Sequence, residues 1–93
     1  MMARADILNV VISNLRNNVS GLETAEIDPS RAMAEYGASS LDIVEVVSTS
    51  MRQLRIRVPR PALADLRNID DLVDLFASKL AEESAKAQGA TAG

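Results

Sequence analysis

A chain of 93 residues with a formal charge of -3 has room for one domain with one modest core, and it offers no net basic face to nucleic-acid phosphates. Its 47% hydrophobic content is aliphatic, with Tyr36 and Phe76 as the only aromatics, and it contains neither Cys nor His. Those absences exclude a thiolate nucleophile, a Ser-His-Asp triad, a disulfide scaffold and a conventional zinc site.

The first periodic segment spans residues 4–18, where Leu8, Val11, Ile12, Leu15 and Val19 recur at spacings of three and four. That is the apolar stripe of an amphipathic helix, and Asp6 near its start suits the positive end of the helix dipole. The N-terminus does not read as a signal peptide, because Asp6 and Asn9 interrupt its apolar positions. No apolar run in the chain is long enough to cross a bilayer, so a cytoplasmic location is expected.

Residues 20–39 carry no strong period. Leu22 and Ile27 read as isolated anchors, and Ala32, Met33 and Tyr36 as one helical turn. A loop of this length in so small a domain must lie across the bundle.

A second helix begins at Ser39-Ser40 and reaches about Leu54. Ser39 can cap it by accepting a bond from the amide of Leu41 or Asp42, and Asp42 stands in the first turn. Ile43, Val46, Val47, Ser50 and Leu54 form its inner face. Leu41 and Val44 fall on another side and are candidates for an exposed partner surface. The following RIRVPRP segment reads as extended, with Ile56 and Val58 inward and Arg55, Arg57 and Arg60 outward. Pro61 opens a short helix to Leu66. Asn68 caps the last helix, whose stripe is Ile69, Leu72, Val73, Phe76 and Leu80. Met33, Tyr36 and Phe76 are expected in the core, with Met33 also a candidate lining for a cavity. Beyond Glu83 nothing remains to bury, so residues 1–81 are expected as the domain and 82–93 as a disordered tail.

The stretch YGASSLDIVEVV, residues 36–47, carries the chemistry. A Gly-Ala pair leads into a serine at the very start of a helix, where another protein can reach its hydroxyl. The dipole there favours an attached phosphate diester. Taken alone, Ser39-Ser40 is equally compatible with a simple helix cap.

Here the chain resembles the acyl carrier protein family, whose pattern is Gly-x-Asp-Ser-Leu-Asp with a Glu three residues further on. This sequence has Gly37-Ala38-Ser39-Ser40-Leu41-Asp42 and Glu45, then Val58-Pro59 for the family's Ile-Pro, and IDDLVDLFASKL for its last helix. The resemblance covers residues 3–81 without a gap. It implies an all-α four-helix bundle of three longer helices and one short one, with a long loop between the first two. It further implies that Ser40, not Ser39, is esterified with 4′-phosphopantetheine from coenzyme A by a phosphopantetheinyl transferase. The chain would then be a non-catalytic, monomeric carrier, presenting thioesters to acyltransferase- or ketosynthase-type enzymes of polyketide or fatty-acid-like biosynthesis. Leu41, Asp42, Val44 and Glu45 would contribute the face such partners grip.

Two departures stand out. Ser39 replaces the family's usual Asp. Arg52, Arg55, Arg57 and Arg60 occupy a region that is acidic in typical fatty-acid carriers, which makes Arg52 and Arg55 candidates for partner selection. The segment VPRPALADLRNIDDLVDLF also resembles discrete carriers of polyketide assembly lines, including acetyl donors in β-branching cassettes. An unmodified docking or regulatory module remains open because of Ser39, and a peptidyl or aminoacyl carrier remains open as the remaining alternative.

Overall fold

The computed structural model describes the backbone of residues 3–64 and 66–92, and side chains of residues 3–64 and 66–83. Four α-helices follow in order: α1 (Arg4–Asn18), α2 (Ser40–Leu54), α3 (Arg60–Leu63) and α4 (Ile69–Ala92). A single 3-10 turn, Met33–Tyr36, lies in the long connection before α2. Asp6 reinforces the start of α1 by accepting a bond from the Ala3 amide at 3.1 Å. Asn68 caps α4, its Oδ1 accepting from the Asp71 amide at 2.7 Å. Both contacts satisfy amides that a helix start leaves without partners.

The core is aliphatic around one ring. Phe76, Val11, Leu15, Val46, Ile69 and Val73 are fully buried, with α1 packed against both α2 and α4. One polar network crosses it: the Asn14 amide donates to Ser50 Oγ and to Gln53 Oε1, both at 2.9 Å. A satisfied buried network of this kind sets the register of α1 on α2. At the rim, the Arg4 guanidinium joins α1 to α4 through Asp70 and Asp74. Its solvent exposure limits it to a small contribution.

The long connection crosses the bundle and is fastened to it. Leu22 and Ile27 are buried as anchors. The Ile69 and Asp70 amides donate to the carbonyls of Arg31 and Pro29 at 3.1 and 2.8 Å. Asp28 organises the bend, accepting from both the Ser30 hydroxyl and the Ser30 amide. Those two bonds, the hydroxyl's first, hold its carboxyl below the ordinary range. A depressed carboxyl contributes stability above its unfolded pKa, near 4, and loses it as pH falls through the folded value. The stability gap between wild type and Asp28→Asn should therefore narrow on going from pH 6 to pH 3, as read by urea midpoints at each pH. A constant gap would show that the Asp28 charge does not hold this bend.

Several expectations need correction. In α1 the buried residues are Ile7, Val11, Asn14 and Leu15, while Leu8 and Ile12 are only half-buried. The inward face includes Asn14, which meets Ser50, a pairing that a hydrophobic pattern does not record. Arg55 is not extended: it is left-handed, at φ 58°, and terminates α2. The Ile56 amide then returns to the Met51 carbonyl at 3.0 Å, a reversal that brings Ile56 and Val58 into the core. Helix α3 starts one residue early, at Arg60, and ends at Leu63 rather than Leu66. Met33 and Tyr36 are half-buried rather than core, and the Tyr36 hydroxyl accepts from the Asp28 amide at 2.6 Å. Helix α4 runs from Ile69 to Ala92. Its Ala, Glu, Lys and Gln are good helix formers, and extending an existing helix carries no nucleation cost.

Candidate functional site

The candidate site is the entrance to α2. Gly37 closes the 3-10 turn in the left-handed region at φ 89°, a conformation that suits a residue without Cβ. Ala38 behind it is buried and fastens the approach to the core. Ser39 is the N-cap, its Oγ accepting from the Asp42 amide at 3.1 Å. Asp42 reaches back in turn, accepting from the Ser39 amide at 2.9 Å. This is a reciprocal capping box, with Asp42 where Glu or Gln usually stands.

Ser40 is thereby left at the first position of the helix, exposed, with its hydroxyl in no hydrogen bond among the described residues. The two adjacent serines thus divide the work. Ser39 is committed to the backbone, and Ser40 is available to chemistry. An aspartate would cap equally well at position 39, so its replacement by Ser39 leaves the geometry of the entrance intact.

Helical phase sorts the other candidates. Leu41 is 73% exposed and Val44 57%. Leu41, Glu45 and Arg52 share one outward stripe at intervals of four and seven residues, and all three are exposed. Asp42 lies off this stripe, about 100° round from Leu41, with its carboxylate engaged in the cap. Arg52 and Arg55 are exposed at the far end of α2, and neither makes an ion pair among the described residues.

Beside α2 runs a groove of about 640 Å³ that the sequence reading did not foresee beyond its suggestion for Met33. One wall is the Ile43, Val44, Val47 and Met51 flank of α2, and Leu63 and Leu66 stand opposite. Met33 lines it as well, as do Arg60 and Arg67. Val44 and Val47 follow Ser40 by four and seven residues, hence on the same flank and about 6 and 10 Å along the axis. The α2 wall of the groove therefore lies on the flank of the helix that Ser40 begins, although Ser40 itself is not part of the lining. Proline-initiated α3 is the only sequence signal that could have indicated a second wall.

Among known proteins, the model of a phosphopantetheine attachment site matches residues 11–76. A polyketide biosynthesis acyl carrier protein from Bacillus subtilis is 27% identical over 79 residues, covering 85% of this chain and 96% of that protein. A meromycolate extension acyl carrier protein from Mycobacterium tuberculosis is 30% identical over 77 residues, covering 82% of this chain and 66% of that protein. The fold also superposes, with a TM-score of 0.77 and 29% identity, on a chain in the crystal structure of the curacin biosynthetic pathway HMG synthase in complex with acetyl donor-ACP. That match covers 84% of this chain and all of the other. Among the described residues, no helix is long and apolar enough to cross a membrane.

Proposed function

The chain belongs to the phosphopantetheine-attachment family as an acyl carrier protein, and on that premise we propose that Ser40 is the residue that bears the arm. The supporting observation is the division between the two serines: Ser39 Oγ is occupied by the Asp42 amide, whereas Ser40 is exposed at the helix start. In the transfer, Ser40 Oγ attacks the phosphorus that links pantetheine to the nucleotide of coenzyme A. The new Oγ–P bond forms as the pyrophosphate linkage breaks, 3′,5′-adenosine bisphosphate leaves, and the serine proton passes to a base of the transferase. The resulting diester sits where the amides and dipole of α2 favour negative charge.

With neither Cys nor His, the chain has no thiol or imidazole with which to hold or activate an acyl group. The pantetheine thiol supplies the handle, and the protein's part is presentation, not catalysis. Ser39 in place of Asp is the one feature that favours an unmodified module, and its capping role removes the force of that argument. The test is intact mass after incubation with a broad-specificity phosphopantetheinyl transferase and coenzyme A. One phosphopantetheine added per chain is expected; an unchanged mass would return the unmodified module to first place.

The partner face in this reading is the Leu41, Val44, Glu45 and Arg52 side of α2, continued by Arg55. It carries a negative charge near the arm and positive charges at its far end. Such a split face attracts a partner with matching opposite charges and repels one that is basic throughout. Biosynthetic acyltransferase- or ketosynthase-type enzymes of a polyketide pathway are the expected partners, in keeping with the relatives. Replacing both Arg52 and Arg55 by Glu should slow acyl transfer with the cognate enzyme about tenfold at low salt and speed it with a generic fatty-acid enzyme. Both effects should fade above 0.5 M salt, where screening is short-ranged. Transfer kinetics at two salt concentrations, with circular dichroism as folding control, decide the matter: unchanged rates would reduce the arginines to a solvated face.

A further inference from the structure

Arg60 and Arg67 stand out because of where they sit. The Arg4, Arg31 and Lys79 side chains are in ion pairs and Arg16 donates to the Ala25 carbonyl. No ion pair involves Arg52, Arg55, Arg57, Arg60 or Arg67 among the described residues. Of these five only Arg60 and Arg67 line the groove beside α2, and both are exposed. The remaining lining is mainly apolar: Val44, Val47 and Met51 from α2, and Val58, Leu63 and Leu66 from the segment that follows it.

An unbranched alkyl chain would be accommodated by those walls alone and would gain nothing from guanidinium groups. A cargo ending in an ammonium would be repelled. A cargo with an alkyl body and a terminal carboxylate uses both features, because guanidinium forks match carboxylates with paired, charge-assisted hydrogen bonds. We propose that this carrier is adapted to acyl groups bearing a free carboxylate at the end remote from the thioester, with Arg60 and Arg67 as the residues that select them. The inference rests on Ser40 as the attachment point and deepens that reading by naming the cargo class. It also sets the aminoacyl alternative apart, since an ammonium-bearing cargo would face two like charges.

The test compares two cargoes of equal carbon number. Wild type and the Arg60→Gln/Arg67→Gln double variant are loaded with adipoyl- or hexanoyl-phosphopantetheine from the corresponding coenzyme A thioesters, and loading is confirmed by intact mass. Loss of the acyl group to hydroxylamine then reports how far the docked cargo is shielded. The double variant should lose adipoyl about three- to tenfold faster than wild type, the range expected for two exposed charge contacts. It should lose hexanoyl at the wild-type rate. Arg57→Gln, which removes one positive charge outside the groove, should change neither rate, and the adipoyl effect should shrink at high salt.

Equal acceleration for both cargoes would show that the arginines shape the groove without selecting its contents, and would overturn the proposal. So would an adipoyl effect reproduced by Arg57→Gln, which would reduce it to overall charge. A wild-type protein that gains no mass at all removes the Ser40 reading, and this inference with it. Normal loading without cargo discrimination removes only the inference.

Discussion

Ser40→Ala should gain no phosphopantetheine under conditions in which wild type is fully converted, and Ser39→Ala should still be converted. The difference follows from one turn of backbone. Ser40 Oγ is the nucleophile that would form the phosphodiester, and alanine supplies none. Ser39 Oγ accepts the Asp42 amide at 3.1 Å, a structural duty that ends before the chemistry begins. Its loss should cost about 1 kcal/mol of stability. The reverse contact, Asp42 accepting from the Ser39 amide, survives in that variant and keeps the helix start in place. Intact mass of both variants after transferase treatment, beside urea midpoints, reads the two effects separately. Modification persisting in Ser40→Ala would move the attachment point and with it the site described above.

Phe76→Ala should destabilise the domain by about 3–5 kcal/mol. Phe76 is the one Phe, fully buried, on the inner face of α4 with Ile69, Leu72 and Val73. Alanine leaves a cavity that a ring of aliphatic neighbours can only partly close. For a domain of this size total stability is about 5–14 kcal/mol, so the loss is a large share of the whole. In thermal unfolding each kcal/mol corresponds to about 4–8 °C, so Tm should fall by more than about 12 °C. Phe76→Leu, which keeps most of the volume, should cost markedly less. A denaturation midpoint for Phe76→Ala close to that of wild type would mean that α4 does not close the core.

Much of this is legible in the chain itself. The bounds of α1 and α2, the cap at Ser39, the cap at Asn68 and the outward side of Leu41 and Val44 all follow from spacings of three and four and from residues with a local hydrogen-bonding role. Such signals are complete within about one turn of backbone, so sequence carries them in full. The family pattern around Ser40 is local in the same sense, and it distinguishes the two serines by register alone.

Tertiary structure decided what depends on distant partners. In α1 Ile7 rather than Leu8 turned inward, on the same face from which Asn14 meets Ser50, 36 residues away. Arg55 took a left-handed conformation because the chain had to return Ile56 and Val58 to the core, a demand made by the bundle and not by arginine. The groove is the clearest case. Its walls come from α2 and from the segment around α3, and the placing of Arg60 and Arg67 beside it exists only once those elements pack. Periodicity orders residues around a single helix. A space between two elements has no counterpart in that pattern, because it is set by their mutual position.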